Sequence, residues 1–386
     1  MRRLQNVEMK TQITEKKAER LLRELVSTPS PSGGEVEIGC LIAEELETSG
    51  LEVERMRVLG GSRFNLLCRI GDGGETLMIN GHMDTVPPHE MERPYQGRVE
   101  DGTLYGRGAC DMKGGLTSMI LAAEELADTE AVNTLLFTFV IDEENQGLGT
   151  LTLLLRGVKA DAAIVCEPTD LKLCASQYGY IEMRLRVHGR STHGATPQMG
   201  VNAIERMMQV LNHLRALPLL ERDERDLRPY MNISSIRGGK DPWIVPHLCE
   251  VDVLISTPPN LSTLEVEEEV RRHLSELRGI NLELEILEAD EGFQLSPLEP
   301  IVRLMSESIE GVMGDVQYST AQSWTDANPL YNLAGIPAVV FGPGELHHAH
   351  SSEEHVEIKD VVTCARVLVS ACRGFLRRGL RGFGSP

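Results

Sequence analysis

Between residues 51 and 166, short apolar runs of strand length alternate with stretches of helical periodicity, and an acid or a histidine sits just past run after run. Strand-like runs are expected at 51–57, 64–70, 76–80, 134–141 and 162–166, with a helix over about 113–127. Strands alternating with helices predict an α/β layer with a largely parallel sheet. The polar residues at the ends of these runs carry the chemistry. His82 and Asp84 stand in Gly-His-Met-Asp at 81–84, and Asp111 in Gly-Arg-Gly-Ala-Cys-Asp-Met-Lys-Gly-Gly. Asp142-Glu143-Glu144, Glu167 in Cys-Glu-Pro-Thr, and His350 in Ala-His-Ser-Ser-Glu-Glu follow. Imidazoles and carboxylates with no required thiolate form the ligand set of a pair of hydrolytic zinc ions.

The pattern changes near 178. Ile181, Met183, Leu185 and Val187 alternate with polar residues, so they line one side of a strand whose other face is wet. A helix at 201–216, strands at 230–236 and 248–256, a helix at 263–277 and a strand at 282–287 complete a compact α+β unit of two helices on four antiparallel strands. From about 295 the α/β character returns, with a buried strand at 338–341 and a closing helix at 358–379. The expected organisation is therefore a catalytic domain of residues 1–177 and 293–386 that carries an inserted domain at 178–292.

Composition excludes several classes. A net charge of −20 leaves no basic surface for nucleic acid. The patch at Arg377, Arg378 and Arg381 reads as a solvated helix end. No run approaches the ~20 apolar residues of a membrane span. The basic start, Met1-Arg2-Arg3, is followed by no apolar signal segment, and Met9 is an alternative start. The eight cysteines form no Cys-x-x-Cys pair, so they are expected to be reduced, mostly buried, and cytoplasmic.

Each polar motif also has a plain structural reading. A strand-end histidine such as His82 is often merely hydrogen-bonded. Asp84, two residues on, is placed to orient that ring. Asp111 before Lys-Gly-Gly reads as a helix N-cap. Glu143 and Glu144, neighbours on extended chain, point to opposite sides, which suits one ligand and one general base. His347-His348-Ala349-His350 is a histidine tract of the kind that binds metal adventitiously.

Taken together and in order, these motifs resemble the co-catalytic zinc amidohydrolases, which include acetylornithine deacetylase, succinyl-diaminopimelate desuccinylase, aminoacylase and the glutamate carboxypeptidases. The resemblance runs over about 15–375. It implies a zinc-exopeptidase-like mixed sheet flanked by helices, with the inserted domain acting as a lid and forming a homodimer. It implies that Asp111 bridges two divalent metals, most often zinc, with cobalt or manganese as substitutes. His82 and Glu167 would complete one site and Glu144 and His350 the other, with Glu143 as general base and Asp84 orienting His82. His193, in Gly-Arg-Ser-Thr-His-Gly, matches a lid histidine that reaches the partner's active site. The implied reaction is hydrolysis of a small N-acyl amino acid. A metallo-exopeptidase using the same centre, or a non-catalytic metal-binding homologue, are the other readings. The chain departs from the family at Trp243, where an Asn is usual, and at Ser256, where an Arg grips the substrate carboxylate; either Arg237 or Lys240 replaces it or the substrate lacks that carboxylate.

Overall fold

The computed structural model describes residues 13–58, 61–129, 131–222 and 227–384. The alternative starts Met1 and Met9 lie outside them. The chain divides into two compact units, each with its own core.

One unit comprises the chain up to Ala175, Leu295–Thr320, and everything from Thr325 on. Its central sheet runs in the order Val53–Arg57, Phe64–Ile70, Thr134–Val140, Thr76–His82, Ala162–Val165, Ala338–Val340, Leu173–Gln177. Only the middle is parallel: Thr76–His82 pairs in parallel with Thr134–Val140 and with Ala162–Val165, which pairs in parallel with Ala338–Val340. Both flanks are antiparallel. The largely parallel expectation thus holds only for the centre. Between Arg57 and Phe64 there are too few residues for a crossover, so those two strands must form an antiparallel hairpin. Every residue of Thr134–Val140 is buried, as a central strand with helices on both faces requires.

Helix Gly114–Leu126 is buried along almost its whole length, and helix Ile358–Arg378 packs on it, the Ser118 hydroxyl donating to the Val361 carbonyl at 2.9 Å. Helix Glu15–Ser27 opens on Thr14, whose hydroxyl accepts the Lys17 N–H at 3.3 Å. Two elements had no clear sequence signal. Leu148–Leu155 is a short helix without amphipathic periodicity, and Arg98–Glu100, Thr103–Tyr105 and His355–Glu357 form a small sheet of three-residue strands.

The other unit comprises Ser176–Gln294 with Ala321–Trp324. Four antiparallel strands lie in the order Tyr230–Gly238, Leu248–Thr257, Gly179–His188, Asn281–Asp290. Along Gly179–His188 burial alternates strictly, and Ile181, Met183, Leu185 and Val187 pack under helices Ala203–Arg215 and Thr263–Leu274. The open face carries cross-strand ion pairs, with Arg184 Nε 2.6 Å from Asp252 Oδ1 and Arg186 Nε 2.8 Å from Glu250 Oε1. Ser262 and Glu265 form a reciprocal capping box at the start of Thr263–Leu274. Among the described residues no helix is long and apolar enough to cross a membrane.

Candidate metal centre

Three adjacent parallel strands deliver their next residues to one edge of the sheet, the usual place for a site in an α/β layer. His82 ends the Thr76–His82 strand, Glu167 lies just beyond Ala162–Val165, and Glu143 and Glu144 lie in the turn after Thr134–Val140. Asp111 comes from the segment leading into helix Gly114–Leu126, and His350 from the loop after the short turn Leu346–His348. Glycine lets these pieces approach. A Cβ on Gly115 would sit 2.1 Å from the Cys166 carbonyl oxygen, and one on Gly342 would sit 2.4 Å from that of Glu167.

Asp111 faces two ways. Its Oδ1 lies 3.1 Å from His82 Nε2, and its Oδ2 lies 3.4 Å from His350 Nε2. On the first side Glu167 Oε1 is 3.4 Å from His82 Nε2; on the second, Glu144 Oε1 is 3.1 Å from His350 Nε2. Glu143 Oε2 is 3.8 Å from His82 Nε2. His82, Glu143 and Glu167 form one group with ligand atoms within 4.8 Å of one another, and His82, Asp111 and Glu144 form another.

Burying so many carboxylates sets the electrostatics. Burial, reinforced by Asp111, pushes the Glu167 carboxyl up to about 7 against the opposing His82 charge. Burial likewise raises Glu143 well above the carboxylate range, with Glu167, Glu144 and Asp326 adding to it, and raises Glu144 beside Asp111. Hydrogen bonds to Asp111 and Glu144 push the His350 imidazole up to about 10. Burial alone would lower His82, but Glu167 and Glu143 reverse it. Burial favours the neutral carboxyls, and a divalent cation would favour the ionised ones.

Asp84 meets His82 and also holds the turn beyond it. The His82 Nδ1–H donates to its main-chain carbonyl at 2.9 Å, while its carboxylate lies farther, at 3.6 Å. The carboxylate also accepts the N–H groups of Glu143 and Glu144, both at 3.1 Å, and the Ser32 hydroxyl at 2.7 Å. Glu143 and Glu144 therefore stand in a turn rather than on extended chain, closed by the Gly147 N–H to the Asp142 carbonyl at 2.7 Å. Asp111 is no N-cap: Lys113 stands at the N-cap of helix Gly114–Leu126, and the Asp111 side chain points into the cluster.

Sequence reasoning assigned some residues of the site no role. Glu354, fully buried, accepts the N–H groups of Cys110 and Asp111, both at 3.1 Å, and pairs with buried Arg107. Its only mark was its place four residues after His350. Lys113 is buried with Nζ donating to the Thr28 carbonyl at 2.9 Å, and burial pushes its amine down to about 7. Asp326, in the Thr-Asp segment after Trp324, is buried and raised to about 6 by that burial. Cys110 is no nucleophile: burial raises its thiol, and Sγ donates to the Glu345 carbonyl at 3.3 Å. All eight cysteines are free, and all but Cys40 are buried.

His193 belongs to the second unit and is not in this cluster. It is exposed, its Nδ1 accepts the Ala195 N–H at 3.0 Å, and its ring lies 6.4 Å from that of Trp243. Trp243 is 68% exposed, so it is not a core residue of that unit. Ser256 is buried in its strand opposite Tyr230. Arg237 is held by Asp252 at 2.9 Å, and Lys240 is exposed.

The profile of peptidase family M20/M25/M40 matches residues 78–374, and the chain belongs to that family. It is 30% identical over 333 residues to the acetylornithine deacetylase of Pasteurella multocida (strain Pm70), covering 81% of this chain and 84% of that one. The fold is similar to an M20 family metallo-carboxypeptidase of Sulfolobus solfataricus, with 18% identity, a TM-score of 0.78, and 93% and 99% of the two chains covered. It is also similar to a dinuclear metal binding M20 peptidase of Bacillus subtilis, with 17% identity, a TM-score of 0.71, and 94% and 98% covered. The chain is accordingly a metal-dependent amide hydrolase with the expected α/β mixed sheet.

Proposed function

We propose that this protein is a di-zinc deacylase that hydrolyses a small N-acyl amino acid, of the deacetylase or desuccinylase type. The observation that carries the reading is Asp111, whose two oxygens face two imidazoles, each with its own glutamate. The donors fit the metal pair. Glu167 Oε1 is buried and accepts no hydrogen bond among the described residues. Four carboxylates surround two imidazoles, an excess of buried negative charge that divalent cations would neutralise. His82 and Glu167 would hold one ion, His350 and Glu144 the other, with Asp111 shared. Imidazole and carboxylate donors suit zinc and also accept cobalt or manganese.

When bound, such ions supply an activated water near neutral pH and polarise the scissile carbonyl. Glu143 takes the proton of the attacking water and returns it to the leaving amine. Its N–H, like that of Glu144, is pinned by Asp84, so both carboxylates are aimed before substrate arrives. In a homodimer joined through the second unit, the partner subunit's His193 would stabilise the developing oxyanion. The free cysteines support a cytoplasmic location. The relatedness to an acetylornithine deacetylase supports the acyl amino acid as substrate.

The test is one panel of N-acetyl, N-succinyl and N-formyl amino acids beside simple dipeptides, with zinc-loaded and chelated enzyme. Chelator-sensitive turnover of N-acyl compounds is expected. Turnover confined to dipeptides would move the protein to the exopeptidase branch. Tight metal binding with no amide hydrolysis would leave a non-catalytic homologue.

A further inference from the structure

A second set of histidines lies outside the centre described above. His347 and His348 sit on the turn Leu346–His348, which is closed by the His348 N–H to the Glu345 carbonyl at 2.9 Å and the Ala349 N–H to the Leu346 carbonyl at 3.0 Å. Glu345 Oε2 is 3.2 Å from His347 Nδ1. One ligand atom each from Glu345, His347 and His348 lies within 4.8 Å of the other two. The His348 ring is 3.9 Å from that of His347 and 4.0 Å from that of His355. His355 Nδ1 hydrogen-bonds the Glu353 carbonyl at 2.7 Å, which makes Nδ1 the protonated nitrogen and leaves Nε2 with its lone pair.

The acid–imidazole contact repeats, at the surface, what the buried cluster shows. A solvated carboxylate and adjacent imidazoles already convergent at coordination distance lose little freedom when they close on an ion. Another histidine group among the described residues differs. His213 and His273 stack at 3.9 Å, but each Nε2 is taken by the other's main-chain carbonyl at 2.8 Å.

We propose that Glu345, His347 and His348 form a separate surface site for one divalent transition ion, with His355 packed behind His348. Imidazole donors select zinc, nickel or copper over magnesium and calcium. Three protein donors on an open turn leave the remaining positions to water.

The test is zinc content after equilibrium dialysis of the full chain against Zn²⁺. Wild type is expected to hold one zinc more per chain than His347→Ala or Glu345→Gln, with turnover and the tightly held zinc unchanged in both variants. His347 is exposed, so neither substitution disturbs the core. The same extra zinc is expected in His82→Ala, which disables the buried centre, so loss of the buried ions and loss of this one are read separately. Equal zinc in wild type and both variants would overturn the site. Half-saturation only at millimolar zinc would identify an adventitious ion only, and would overturn it equally.

Discussion

Glu143 and Glu354 do different work within one cluster, and substitution should separate them. Glu143 is 3.8 Å from His82 Nε2, whereas the pairs facing Asp111 are His82 with Glu167 and His350 with Glu144. Glu143→Ala should therefore keep both metals by elemental analysis while turnover falls by about 10²–10⁴-fold, the range for losing a positioned proton carrier. Near-normal turnover would sink the assignment. Glu354 holds the backbone of Asp111 and neutralises Arg107, both out of solvent. Glu354→Ala would leave a buried guanidinium unpaired, a loss of about 3–5 kcal/mol in denaturant unfolding. It should also weaken metal binding by roughly 10–100-fold, the effect of losing a partner behind a ligand. A stable variant with wild-type metal affinity would show that Glu354 supports neither. Glu143 stood out because it follows an apolar strand. Glu354 did not, because its partner Arg107 is distant in sequence and nothing in the motif around either residue announces that the two pair.

The four-stranded sheet of the second unit depends on its wet face as well as its buried one. Arg184 and Asp252 are directly opposed across two strands, and Ser235 and Arg237 add bonds to the same carboxylate at 2.8 and 2.9 Å. The hydrogen bond from Arg184, with that from Ser235 and the charge of Arg237, holds the Asp252 carboxyl down at about 2 against the effect of burial. Because the folded value is depressed, this stabilisation is present above the unfolded value of 3.8 and is lost as pH falls toward about 2. Asp252→Asn should be less stable than wild type at pH 6. The gap should narrow as pH is lowered from about 4 toward 2 in urea unfolding. A gap independent of pH would assign the effect to packing. Element positions were legible here because alternation along 181–188 and the turn residues between elements are local signals. The Leu148–Leu155 helix was not, because a short helix packed without an apolar stripe carries no periodicity.

At the scale of the whole molecule, the candidate metal centre joins sequence-distant parts of the first unit, from His82 to His350. Ligands that bind only the folded chain stabilise it by mass action. Removing the ions by chelation should lower the melting temperature, and zinc free at 1,000 times its dissociation constant should restore about 4 kcal/mol. An unchanged melting curve with and without chelator would show that the cluster is stable on its own protons. The sequence by itself determined the order of the main elements, the α/β class of the first unit, the antiparallel α+β character of the second unit, and which acids and histidines lie past apolar runs. Those properties depend on neighbours within a few turns or a few strand residues, so periodicity and turn chemistry reveal them. Only the tertiary structure decided that Asp84 grips the 143–144 turn with its carboxylate, that Asp111 turns one oxygen to each histidine, and that Glu354 and Arg107 lie behind it. These arrangements join residues dozens to hundreds of positions apart, and no local pattern specifies which oxygen will meet which nitrogen once the strands have paired.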